Sequence, residues 1–319
     1  MASYKNKKGD RIRKKYRYQV MTIALIAVLI VGGVRIFYLK KHQDVIPPNE
    51  QIESTNPDNQ LEGLINNEQS EREEEKEEKE EETIQYVGTN LEGQKYAYDA
   101  SKIAEKFRNY DDSNDGEKVV FLTFDDGVST TVTPKILRIL DEYNVKATFF
   151  VIGETIDEGG ERARELIKEE FEKGHAIANH SYNHNYHTLY PGRSLNLSNF
   201  KADFKKTDDL LKDILGENFS TRVLRCPGGY MSWNNMEQLD HYLNESNKIS
   251  IDWNALNKDA EGKKKNAEQL LENVKGTTEG KEMIVLLMHD TYGKEETAKA
   301  LPEVIKYFKN NGYAFKTLV

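Results

Sequence analysis

Short apolar runs alternate with amphipathic stretches through the last two thirds of the chain. The runs cover 118–124, 147–151, 176–179, 222–226, 249–252 and 283–289, with a last one near 313–316. They read as strands, rich in Val, Ile, Phe and Leu. Between them, apolar residues recur at helical spacing over 134–143, 162–173, 197–215, 235–243, 267–275 and 296–311. Strands that are apolar on both faces, each followed by a helix, predict a mostly parallel sheet, closed as a barrel or open. Asp125, His180, Arg225, Asp252 and His289 each close or directly follow a strand-like run. Such α/β sheets place their chemistry at the carboxyl ends of the strands.

The first part of the chain follows a different pattern. Residues 1–17 are basic, with Lys5, Lys7, Lys8, Arg11, Arg13, Lys14, Lys15 and Arg17 against Asp10 alone. An apolar run follows from Val20 to Val34 and resumes from Ile36 to Leu39. Counted through Arg35 it is about 20 residues, the length that spans a bilayer. Tyr16, Tyr18, Phe37 and Tyr38 flank it as interfacial aromatics do. A cleaved signal peptide is the competing reading, but no small-residue cleavage site follows, Gly32-Gly33 being the nearest approach. A buried core helix is disfavoured because the run is apolar all round and abuts dense charge. The expectation is a cytoplasmic tail at 1–17 and a membrane anchor at 18–39, with everything beyond exported.

Residues 40–85 are expected to be a disordered acidic linker, punctuated by Pro47-Pro48 and ending in a Glu-rich run at 71–82. That run accounts for much of the net charge of −9, which therefore says little about the rest of the chain. No period of 20–50 residues recurs, so a solenoid is not expected. Residues 86–117 form a lead-in segment to a domain at 118–319. The single cysteine, Cys226, rules out an intrachain disulfide and is expected to be a small buried hydrophobe. No nucleic-acid partner is expected, and the sequence points to no particular protein partner.

The chemistry-bearing residues form a coherent set. Asp125-Asp126-Gly127 follows an apolar run, and adjacent aspartates are expected to share one cavity only if the strand has ended. Gly127 would supply the freedom for that turn. His180 and His184, in His180-Ser181-Tyr182-Asn183-His184, can reach one ion from a helical turn or tight loop. With one of the two aspartates they make a carboxylate–imidazole–imidazole set that leaves a coordination position for water. The other aspartate would serve as base and His289 as acid, with Asp252 orienting His289. Arg225 would hold the base by a bidentate pair, and Pro227-Gly228-Gly229 would offer backbone amides to an oxyanion. Taken singly, each piece has an ordinary explanation: a cap, a satisfied core histidine, an ion pair. His175 and His187 are expected at the surface or behind the ligands. A zinc protease is disfavoured because Ser181 stands where its glutamate base would be. A non-haem iron oxygenase has no use for a second aspartate and a distal histidine acid.

Together these motifs resemble the polysaccharide deacetylase family, carbohydrate esterase family 4, or NodB-homology domain. Thr123-Phe124-Asp125-Asp126-Gly127, the histidine motif, Arg225-Cys226-Pro227-Gly228-Gly229, Ile251-Asp252-Trp253 and Leu287-Met288-His289-Asp290 occur in the family's order. The resemblance implies an irregular (β/α) barrel. It implies Asp125 as base, His289 as acid, and Asp126, His180 and His184 as ligands of a divalent metal, zinc or alternatively cobalt. It also implies Arg225 steadying the base, Gly228 N–H as oxyanion donor and Leu287 at the acetyl methyl. Gly229, Tyr230 and Trp253 are expected at the substrate. Cys226 and Gly228 depart from the commoner proline and aromatic, and Trp253 follows Asp252 immediately instead of a few residues later. The implied reaction is hydrolytic deacetylation of a polymeric sugar. With an outward domain on a membrane anchor, the expected substrate is peptidoglycan N-acetylglucosamine. Muramic acid residues, an exported N-acetylglucosamine polymer, chitin oligomers, xylan, or a catalytically weak wall-binding module are the alternatives.

Overall fold

The computed structural model describes residues 84–319. The tail at 1–17, the span at 18–39 and the linker at 40–85, apart from its last two residues, lie outside the described residues. Among the described residues no helix is long and apolar enough to cross a membrane.

Eight strands form the main sheet. They are β1 (Val119–Gly127), β2 (Thr148–Val151), β3 (Ala176–Asn179), β4 (Val223–Leu224), β5 (Ile249–Ser250), β6 (Ala255–Leu256), β7 (Met283–His289) and β8 (Ala314–Phe315). Their order is β5-β4-β3-β2-β1-β7-β6, and every pairing is parallel. β8 lies beside the first half of β1, where Ala314 pairs with Val119, and β2 takes over from Thr123. The outermost strands β5 and β6 follow each other in sequence yet share no ladder. The sheet is therefore a half-barrel with a seam between them, in keeping with the irregular barrel expected.

The pleat of β1 divides the core. Val120, Leu122 and Phe124 face outward into a cluster with helices α2 (Thr133–Glu142) and α7 (Glu295–Asn310), through Ile136, Leu140, Leu301 and Val304. Val119 and Phe121 face inward with Phe150, Ala178, Met283 and Val285. Each such aliphatic or aromatic side chain contributes about 1.5–3 kcal/mol by leaving water, which fixes the register of the strand that carries the site.

Further helices are α3 (Gly153–Glu172), α4 (Leu197–Leu215), α5 (Glu237–Glu245) and α6 (Ala267–Thr278). Asn196 caps α4 by accepting from Asn199 N, and Asn266 with Gln269 forms a capping box on α6. α3 starts nine residues before the predicted 162–173, because two helical pieces meet at Gly160, whose φ of 59° interrupts the periodic pattern. The lead-in segment is part of the fold. Tyr86–Val87 pairs with Phe219–Ser220, and Ala97–Tyr98 with Thr317–Leu318. After these two lead-in strands runs a further helix, α1 (Ala100–Arg108), which buries Ala100 and Ile103 in the inner cluster.

Candidate active site

The site begins at an irregularity in β1. The strand does not end at Phe124, as expected, but continues to Gly127 with a shift of register between Asp125 and Gly127. Asp126 is the extra residue, with φ at +66°. A bulge re-aims one side chain without ending the strand, and this lets both carboxylates face one cavity. Gly127 has no room for a side chain, since a Cβ there would lie 2.5 Å from Asp290 Oδ1. Asp290 is fully buried, and that burial pushes its carboxyl up to about 7.

β3 ends at Asn179, and His180 to His184 form a tight loop with positive φ at Ser181 and His184. Asn179 Oδ1 accepts from Ser181 N and Ser181 Oγ from His184 N, which folds the loop back on itself. His180 Nδ1 donates to the Arg225 carbonyl at 2.8 Å, leaving the Nε2 lone pair free. Burial presses its imidazole down to about 3, and the neighbouring His184 adds to the effect. A ligand must be neutral, so the environment has already chosen the required form.

The Asp126 Oδ1 atom is buried and has no hydrogen-bond partner. His180 Nε2 stands 3.5 Å from it and His184 Nε2 3.7 Å. A tetrahedral ion with bonds of about 2.0–2.2 Å holds its ligand atoms about 3.4 Å apart, so these three residues fit a zinc-like ion. They are the one cluster of such ligands among the described residues. An orphaned buried carboxylate oxygen is costly, and a cation is what would satisfy it.

Asp125 and His289 flank that cluster from adjacent strands, in direct register across β1 and β7. Arg225, fully buried, gives Asp125 Oδ1 a hydrogen bond of 2.7 Å from Nη1. The pair is not bidentate as expected. The same Nη1 also serves Thr123 Oγ1, Nε donates to the Ile251 carbonyl and Nη2 to the Asp252 carbonyl. The guanidinium thus ties three strand ends together and lies on the Phe150 ring at 4.0 Å. Burial raises the Asp125 carboxyl above its ordinary value, against the opposing pull of Arg225.

The partner of His289 also differs from expectation. Its Nδ1 donates to Asp259 Oδ1 at 2.7 Å, while Asp259 Oδ2 accepts from His289 N and Thr297 Oγ1. Burial alone would lower the imidazole's pKa, but the Asp259 bond and the charges of Asp259, Asp125 and Asp126 raise it. Asp252 instead accepts from Tyr230 N at 3.0 Å, so its carboxylate fixes the loop after Arg225. No motif flagged Asp259. It lies three residues beyond β6, whose two residues are too short to show as an apolar run.

That loop turns at Gly228 and Gly229, both with positive φ. The Gly228 N–H donates to no group among the described residues, as an oxyanion donor should be before substrate arrives. A Cβ at Gly228 would meet Trp233 at 3.1 Å and Tyr186 at 3.4 Å, and one at Gly229 would meet Trp253 at 3.1 Å. The aromatic wall absent at Gly228 is therefore supplied from elsewhere. Tyr186 follows the second histidine, and Trp233 stacks on Tyr190 at 4.1 Å with its Nε1 held by the Pro227 carbonyl. Leu287 shares the inner face of β7 with His289, two residues away. Tyr230 is tied down by a bond from its hydroxyl to Asp240. Cys226 is buried, and burial pushes its thiol up to about 12, as suits a core residue. His187 is exposed as expected, whereas His175 is fully buried.

The site and fold have known counterparts. A family model for polysaccharide deacetylase matches residues 112–242. A peptidoglycan-N-acetylglucosamine deacetylase of Bacillus cereus is 31% identical over 207 residues, covering 62% of this chain and 68% of that protein. A bifunctional xylanase/deacetylase of Pseudobutyrivibrio xylanivorans is 30% identical over 63% of this chain, which spans only 30% of that protein's length. The solved structure of a Streptococcus mutans CE4 esterase is 36% identical with a TM-score of 0.67, covering 73% of this chain and 96% of that one. The chain belongs to the polysaccharide deacetylase family, carbohydrate esterase family 4. The family is one of hydrolases, as the five motifs implied.

Proposed function

We propose that the protein removes acetyl groups from N-acetylglucosamine residues of cell-wall peptidoglycan, with a zinc-type ion held by Asp126, His180 and His184. The observation that carries the reading is the pair Asp125 and His289. They flank the ligand cluster, one anchored by Arg225 and the other by Asp259. A binding module has no use for an acid and a base so held. When bound, the ion acidifies water and polarises the acetyl carbonyl. Asp125 takes the proton of the attacking water through the oxygen that Arg225 leaves free. Gly228 N–H steadies the oxyanion, a contribution of about 10²–10³ in rate. As the C–N bond breaks, His289 passes its Nε2 proton to the leaving amine, leaving acetate and a free amino sugar. Leu287 packs against the acetyl methyl.

The substrate choice is supported by the peptidoglycan deacetylase among the relatives and by the apolar run at 18–39 behind a basic tail. In this reading that run is a single membrane span with a cytoplasmic amino terminus, and the catalytic domain works at the wall. The test is acetate release from purified peptidoglycan and from chito-oligosaccharides, with zinc or cobalt and with chelator. Metal-dependent release from peptidoglycan is expected. Release from oligosaccharides alone would move the substrate to another N-acetylglucosamine polymer, and none from either would sink the reading.

A further inference from the structure

The seam between β5 and β6 is not filled by a strand. α1 and the chain just after it lie across it, leaving a cavity of about 480 Å³. Its volume falls in the range of about 300–1,000 Å³ typical of small-ligand sites. Phe107 and Tyr110 line one side, and Tyr230 and Trp253 the other. Tyr110 is 90% exposed and Met231 77%, so two large apolar groups stand in water at the rim with nothing covering them.

The cavity is continuous with the catalytic rim. Trp253 packs under Gly229, and its ring lies 5.6 Å from the Arg225 guanidinium. Asp252 borders the cavity while its carbonyl accepts from Arg225. We propose that this seam cavity is a second sugar site, which takes an N-acetylated ring of the same glycan chain at least two rings away from the one that reacts.

The charges select this ligand class. Asp111, Asp112, Asp240 and Asp252 outnumber Arg108 and Lys281 around the cavity. Both cations are already paired, Arg108 with Asp240 and Lys281 with Asp112. A phosphate or carboxylate ligand would therefore meet repulsion, whereas sugar hydroxyls can donate to these carboxylates. The apolar face of a pyranose and its acetamido methyl suit the aromatic and aliphatic walls. Phe107 to Asp111 belong to the lead-in segment, outside the stretch that the family model matches.

This inference rests on the proposed function, and its test separates the two. The full chain in detergent is assayed with N-acetylglucosamine dimer and pentamer, alongside Tyr110→Ala and Ala104→Trp, the latter filling the cavity. In both variants kcat/KM for the pentamer should fall about three- to tenfold while the dimer is unchanged, the size of one aromatic contact. Equal losses on both substrates, or no loss on either, would overturn the second site. If the unaltered protein releases acetate from neither oligomer, binding decides this one, while release from peptidoglycan still decides the activity reading. Saturable quenching of tryptophan fluorescence by the pentamer, weakened in both variants, would support it. Quenching by a lysine-containing peptide but not by the sugar, or none by either, would refute it.

Discussion

His175 and His180 stand at opposite ends of one four-residue strand, β3, and look alike by every simple measure. Both are buried, and burial presses both imidazoles down to about 3. The difference lies in the hydrogen bond each makes. His180 donates from Nδ1 to a carbonyl, which turns a bare Nε2 lone pair toward Asp126. His175 accepts at Nδ1 from Ala147 N, which leaves Nε2 carrying the proton, buried and without a partner. Depth and a shifted pKa do not mark a ligand; the direction of the second nitrogen does.

The largest effect should come from exchanging each histidine in turn. His180→Ala should lose the bound metal and about 10³-fold or more in turnover, since the ion supplies the nucleophile. His175→Ala should keep full metal content and turnover per folded molecule, and lose only thermal stability. Metal analysis and acetate release on the two variants decide this, and loss of metal from His175→Ala would erase the contrast. Asp125→Asn provides the control within the site. It should lose about 10²–10⁴ in turnover with metal retained. Loss of metal there would mean that the two aspartates have exchanged roles.

A second, smaller effect separates Asp259 from Asp252. The acid must be protonated to act, and Asp259 raises the pKa of His289. Asp259→Asn should therefore move the alkaline limb of the rate profile to lower pH and cost about 10² in turnover. Asp252→Asn should leave that limb in place, because its carboxylate serves the amide of Tyr230 instead. A shift in Asp252→Asn, and none in Asp259→Asn, would restore the partner expected from the motif.

What could be read in the sequence follows the same division. Asp125, His180 and His289 were legible because parallel strands buried on both faces leave unbroken apolar runs, and chemistry collects where these stop. Asp259 was not, since β6 is too short to announce its own end. The bulge at Asp126 was also hidden, because an extra residue in a ladder leaves no mark on composition. Tyr186 and Trp233 meet ring to ring beside Gly228, a contact between distant segments that no local pattern encodes. Helix α1 did carry a readable signal, Asp99 as cap with Ile103 and Phe107 four apart, but as a single turn-spaced pair it was too weak to separate from a linker.

The smallest effect tests whether the region before β3 bears the energetic burden of orphaned groups. Glu170 is fully buried near the end of α3, and neither carboxyl oxygen has a partner. Burial, with the charges of Asp290 and Glu169 adding to it, raises its pKa well above the ordinary 4.5. The folded protein therefore keeps a proton there that the unfolded chain releases above pH 4.5. Stability must fall as pH rises through that window, by on the order of 1 kcal/mol per unit until the folded pKa is passed. His175 works in the opposite sense, since its depressed pKa costs stability as pH falls below 6.5. Glu170→Gln removes only the first of these. Its melting temperature should match the unaltered protein at pH 4 and exceed it increasingly as pH rises above 5, with turnover unchanged. A difference independent of pH would mean that the carboxyl finds a partner in solution, and that the two ends of β3 are equally well satisfied.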